Sequence, residues 1–350
     1  MTSDHDDHDS VYDGLFGGDS DHWAFGTDFA DPLAGMEATI PVGADPRALA
    51  QYCLMLGDDA LVLSHRLSQW CGNAPELELD IALANIALDL LGQARLLLVR
   101  AASADPSVVP PLPLHSLETL RSPETQPSLE TSHSSETSHS PETQDSSETR
   151  DSSETQRSPV PAEDALAFFR DDWAYRNAWL AEAPNGDFGQ TVARILLFTT
   201  VRLAIFERLC GSRDAVLAAV AAKGVRELAY HRDFAGRWFL TLAHGTGESR
   251  RRVIAGLAEI WRHHDELFRA HPVERELSRC GVAVDPATVA GDADAALATV
   301  FAASGVERPV VPQAGQLGGR SGRDGVHTEA LSLLLAEMQS VARAHPLGRW

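Results

Sequence analysis

From residue 45 onward, apolar residues recur every three or four positions over long stretches, broken by proline- and glycine-rich corners. That period belongs to α-helices burying one face. Asp45-Pro46 opens the first helix with an N-cap residue and a proline in the first turn. It runs to about Trp70, turns through Cys71-Gly72-Asn73-Ala74-Pro75, and a second helix continues to about Ser103. Periodicity resumes after Pro161 and predicts helices over 162–182, 189–210, 212–242, 248–270, 272–280, 287–303 and 328–345. No alternating pattern of strand length occurs, so the fold class is all-α, a single domain of eight or nine helices.

Two segments lack this period. Residues 1–44 are rich in Asp, Gly and His and read as an acidic disordered arm, with aromatics in Tyr12–Phe16 and Trp23–Phe29 that leave a docking role open. Residues 105–114 are proline-rich, and Glu-Thr then recurs at 118, 124, 130, 136, 142, 148 and 154. A hexapeptide β-helix would need an apolar residue in every rung, and Ser, Pro, Gln and His fill those positions here. The predicted organisation is thus an arm (1–44), a first helical hairpin (45–104), a disordered insert (105–160) and the remainder of the domain (161–350).

The net charge of −21 sits in these appendages: residues 1–46 hold eleven acids and no Lys or Arg, and residues 115–158 hold nine acids against three Arg. The helical remainder is close to neutral. Such a balance lacks the basic footprint of a nucleic-acid binder. The four cysteines form no CxxC pair, and three of them fall in helical, apolar surroundings, which fits a reduced, cytoplasmic compartment. The acidic N-terminus has no apolar core for a signal peptide, and no uninterrupted apolar run reaches membrane-span length.

The second helix is apolar on every side, yet carries Asn85, Asp89 and Gln93 four residues apart, on one face. Four-helix carboxylate proteins hold di-iron centres on such stripes, with Glu-x-x-His on two helices and a carboxylate from each of the others. Only His133 and His139 have a Glu three residues before them, and both lie in the hexad repeat. Gly92 stands where a His should follow Asp89, Tyr230 stands where one should follow Glu227, and residues 189–206 contain no Asp or Glu. No metal ligand and no catalytic residue is therefore assigned. Asp58, Asp59, His65, Arg66, Asn85, Asp89, Gln93, Arg202, Glu227 and His231 are expected to form a buried polar network in which arginine fills the volume of a metal pair. Ser64-His65 and His327-Thr328 lack a third, orienting group. The glycine-rich loop ending at Gly325 offers Arg320 and Arg323 as candidates for a CoA phosphate contact, against the plainer reading of a connector.

Several long motifs resemble the C-subunit family of phenylacetyl-CoA epoxidases. They are Leu56-Gly57-Asp58-Asp59, the Trp70-Cys71-Gly72 to Glu78 corner, Ile81–Arg95, Pro184–Phe188, Glu227–His231, Gly281–Pro286 and Gly325–Gln339, with Trp350 at the close. The resemblance covers residues 46–104 and about 162–350. It implies a ferritin-like bundle with extra C-terminal helices, no cofactor in this chain, and a homologous di-iron catalytic subunit as partner. It further implies other complex subunits, a reductase delivering electrons from NADPH, and access to phenylacetyl-CoA through the complex. On the apolar character of their faces, helices 189–210 and 328–345 are the expected interface. Two competing readings are a self-sufficient di-iron oxygenase and a helical scaffold with no oxygenase partner.

Overall fold

The computed structural model describes residues 39–112 and 160–348. Residues 1–38 of the acidic arm, the hexad repeat and Arg349-Trp350 lie outside the described residues. Within them the chain is all-α, with eleven α-helices, short 3₁₀ turns and no strand. The expected all-α, ferritin-like architecture holds.

Four long helices make the centre: α1 (Pro46–Ser68), α2 (Leu77–Ala104), α5 (Phe188–Leu209) and α6 (Ala215–His244). Side chains of Asp45, Asp187 and Asp214 accept the backbone N–H groups of Ala48, Gln190 and Leu217, so an aspartate starts three of the four. α1 and α2 pack as one hairpin, α5 and α6 as a second, and α2 lies against α6. Between the hairpins run α3 (Ala162–Phe168) and α4 (Trp179–Glu182). After α6 come α7 (Gly247–Trp261), α8 (Pro272–Arg279), α9 (Ala290–Ser304), α10 (Glu329–Met338) and α11 (Ser340–Ala344), which pack around the long helices. One contiguous apolar core joins all these layers.

Three predicted helices are broken in the structure. Helix 162–182 divides because Arg176 N donates to Asp58 (2.8 Å), Ala178 N to Asp59 (2.7 Å) and Trp179 N to Glu266 (2.9 Å), which leaves 169–178 irregular. Helix 248–270 stops at Trp261, on whose ring His264 stacks at 4.4 Å as the chain turns. Helix 328–345 divides at Gln339, whose buried Nε2 donates to the Ala167 and Arg170 carbonyls and to the Tyr175 hydroxyl. Of the cysteines, Cys53 is buried, Cys280 is half-buried, and Cys71 and Cys210 are exposed, which corrects the apolar surroundings expected for three of them.

Candidate functional site

The polar residues that interrupt α2, α5 and α6 meet where those helices face one another. Gln93 is the hub: its Oε1 accepts from Arg202 Nε at 3.0 Å, and its Nε2 donates to Glu227 Oε2 at 2.9 Å. Arg202 is 4% exposed. Its Nη1 donates to the Leu56 carbonyl of α1 at 3.1 Å, and its guanidinium lies over the Phe206 ring at 4.4 Å. One turn earlier on α2, Asp89 Oδ2 lies 2.9 Å from Nε2 of the fully buried His231. Lys223 reaches Glu227 from the solvent side at 3.6 Å.

Burial pulls the Arg202 guanidinium down to about 10 despite Asp59 nearby. Burial also pushes Glu227 up, Asp89 adding to it and the Gln93 hydrogen bond opposing it. Charge is thus disfavoured on both sides of the amide, and Gln93 joins the two groups as a neutral bridge. Asn85 Nδ2, Arg202 Nη2 and His231 Nδ1 are buried beside this network without a protein partner.

A metal pair here would need carboxylates converging from facing helices. α5 instead sends in a guanidinium, a donor-only cation that repels a metal ion. Among the described residues, no three or more His, Cys, Asp or Glu side chains are grouped to hold a metal ion. The side chains at this position do not fit a di-iron centre.

The expected network is in fact two. Gln93 bonds Arg202 and Glu227, Asp89 bonds His231, and Asn85 shares their face of α2 without a partner for its buried Nδ2. Asp58 does not join them: it turns toward 169–178, where Arg170 donates to it from Nη2 at 2.5 Å and Nη1 at 3.0 Å. Arg66 donates to the Glu182 and Ala330 carbonyls. His65 stands apart on α1, half-buried, its pKa lowered by burial. In this second cluster Asp59 receives Arg323 Nη2 at 2.8 Å, and Glu182 accepts from His327, Asn177 and Thr328 N at 2.7–2.9 Å. Adjacent acids in a buried helix call for two cations, and the pair Asp58-Asp59 was that signal. Arg100, alone in the apolar run of α2, was another: it pairs with buried Asp214 at 2.5 Å.

The phenylacetic acid catabolic protein family matches residues 36–110 and 153–350, a span that includes both clusters. The chain belongs to this family. It is 37% identical over 302 residues to the C subunit of 1,2-phenylacetyl-CoA epoxidase from Escherichia coli (strain K12), a match spanning 86% of this chain and 99% of that protein.

Two further expectations change in this phenylacetic acid catabolic protein. Arg323 is not available to a phosphate, since Asp59 and the Met55 and Arg176 carbonyls hold its guanidinium inside the fold. Arg320 is exposed, and its Nη2 donates to the Asp324 carbonyl at 2.8 Å. α5, an expected interface helix, is buried within the chain along most of its length. α2, apolar on every side in the sequence, turns one apolar face outward, with Leu77, Ile81, Leu88 and Leu91 all exposed. By length and composition α2 would suffice to cross a membrane, but half of its most apolar window is buried in the bundle.

Proposed function

We propose that this chain is the structural, metal-free subunit of a multicomponent phenylacetyl-CoA 1,2-epoxidase. In this reading it stabilises a homologous di-iron catalytic subunit and helps frame the acyl-CoA site. The observation that carries the reading is Arg202, which enters from α5 into the volume where a metal pair would need a carboxylate, and is bridged by Gln93 to Glu227. The identity to the C subunit of an epoxidase over nearly its full length supports the assignment to such a complex. Oxygen chemistry then belongs to the partner, with electrons from NADPH supplied by a separate reductase. A rigid bundle packed on the catalytic subunit would hold that subunit's ligand shell in place.

The test is metal analysis and turnover on the full chain, alone and co-expressed with the homologous subunit. The isolated chain is expected to carry well under one iron per chain and to epoxidise nothing, and the co-purified complex to carry iron and to epoxidise phenylacetyl-CoA. About two irons per isolated chain, or turnover by it, would overturn the reading.

A further inference from the structure

Two polar atoms face each other in the turn that follows α7. Glu266 Oε2 and His263 Nδ1 are both buried without a protein partner and lie 4.0 Å apart. Glu266 is 7% exposed, and its other oxygen accepts the Trp179 N–H of α4 at 2.9 Å. A buried oxygen or ring nitrogen left unpaired is costly. One proton on Oε2 serves both atoms, because a carboxylic acid donates and a neutral imidazole nitrogen accepts. Closing the gap by about 1 Å brings the pair to hydrogen-bond length.

The surroundings keep that proton on the glutamate. Burial pushes Glu266 up to about 7, with Asp59 of α1 and Glu182 of α4 adding to it and the Trp179 N–H and Arg323 opposing it. Arg323 is itself bonded to Asp59 and to the Met55 and Arg176 carbonyls. Burial likewise lowers His263, with Arg262 adding to it and Glu259 and Glu182 opposing. Charge is thus disfavoured on both side chains, and the neutral acid–imidazole pair is the favoured form.

The contact beneath this pair holds an irregular stretch in place. The amides of Arg176, Ala178 and Trp179 bond carboxylates of other elements, namely Asp58, Asp59 and Glu266. Arg170 neutralises Asp58 and Arg323 neutralises Asp59. Glu266 has no arginine bonded to it among the described residues. Once ionised, it needs water at Oε2. The 3₁₀ turn Asp265–Phe268 that carries it is four residues long, and such short elements open at lower cost than core helices.

We propose that Glu266 and His263 form a pH-set latch, in which one shared proton keeps the turn after α7 closed on α4 and its loss lets that turn open to water. The test is hydrogen exchange of the full chain between pH 5 and pH 8, corrected for the intrinsic pH dependence of amide exchange. Protection of the Ala178 and Trp179 amides is expected to fall at least tenfold across that range, because the open turn ionises Glu266 more readily than the closed one. Amides of α5 should stay better protected than these at every pH. Glu266→Gln keeps a donor facing Nδ1 and should hold the protection of residues 178 and 179 level with pH. Glu274→Gln, at a buried carboxylate bonded to the His271 N–H instead, should keep the wild-type fall. The infrared difference between wild type and Glu266→Gln at pH 6 should contain the C=O band of a buried protonated carboxyl, and His263→Phe should shift that band. Level wild-type protection, or a fall that persists in Glu266→Gln, would overturn the latch. So would equal protection of α5 and of residues 178 and 179 throughout, since the whole fold then opens at once. Absence of the carboxyl band would replace the shared proton with a hydrated carboxylate, and a band left unmoved by His263→Phe would remove His263 from the pair.

Discussion

Glu266 and Glu274 are carboxylates placed where ionisation is costly. Glu266 accepts the Trp179 N–H through one oxygen, while the other is buried without a hydrogen-bond partner, 4.0 Å from His263 Nδ1. Glu274 accepts the His271 N–H at 2.7 Å in the capping box of α8. Burial pushes both up to about 7, against the opposing pull of Arg323 and these backbone donors. Their folded pKa values lie above the unfolded one, so the stability they contribute is full below the unfolded value and is lost as pH rises through the folded value. For each group the loss is on the order of 3 kcal/mol. His263 and His271, lowered by burial, work the other way, costing stability as pH falls through the ordinary histidine range. Comparing wild type with Glu266→Gln isolates the carboxylate. In urea unfolding the variant should match wild type at pH 5 and be more stable by roughly 1–3 kcal/mol at pH 8. An equal difference at both pH values would show that Glu266 does not change protonation across that range. None of this was legible in the sequence, because the burial of Glu266 depends on α4 and on the turn after α7. Asn85, Asp89 and Gln93 were legible because their spacing alone fixes a common helix face, and Arg202 because its helix contains no acid before Glu207. Arg170 and Arg323 were not, since they reach Asp58 and Asp59 across 112 and 264 residues, with no local pattern to announce them.

At the scale of elements, caps and apolar period were enough to locate the long helices, whereas the break in helix 162–182 comes from carboxylates elsewhere in the chain. The packing of α5 on α7 depends on a feature that neither signal carries. A Cβ on Gly256 would lie 2.5 Å from Gln190 Cα and 2.6 Å from Gln190 N, and one on Gly189 would lie 3.1 Å from the Val253 backbone. The two helices therefore cross backbone to backbone. In an open helix, alanine would be favoured over glycine by about 1 kcal/mol. Here it forces α7 off α5, so Gly256→Ala should destabilise by about 1–3 kcal/mol. Gly291→Ala on α9 is the control, because nothing lies within 4 Å of its added Cβ. The two thermal melts should move in opposite directions, the Gly256 variant downward and the Gly291 variant level or upward. A Gly256 variant that melts at or above wild type would show that the crossing has slack.

The molecule as a whole is closed by ion pairs and hydrogen bonds that join the first hairpin to the helices beyond the insert. Arg170 to Asp58, Arg323 to Asp59, Arg66 to the Glu182 carbonyl and Arg100 to Asp214 each bridge the two described stretches, and all four are largely buried. Arg95 and Glu163 add a surface pair at 3.5 Å close to where the chain re-enters the bundle. The family match skips residues 111–152 and resumes at 153, so the shared fold does not draw on the middle of the hexad repeat. Residues 113–159 should then affect folding only through the entropy of closing a long connection. That cost grows with the logarithm of loop length, so replacing the segment with a Gly/Ser linker of about twenty residues should gain somewhat under 1 kcal/mol. For a domain of this size the gain is a rise in melting temperature of about 1–3 °C. The replacement also removes nearly all of the insert's acids, so the isoelectric point should rise while the helical circular dichroism of the bundle is retained. A melting temperature lowered by more than about 5 °C would mean that the insert makes stabilising contacts with the helices, and its period of six would then need a structural explanation.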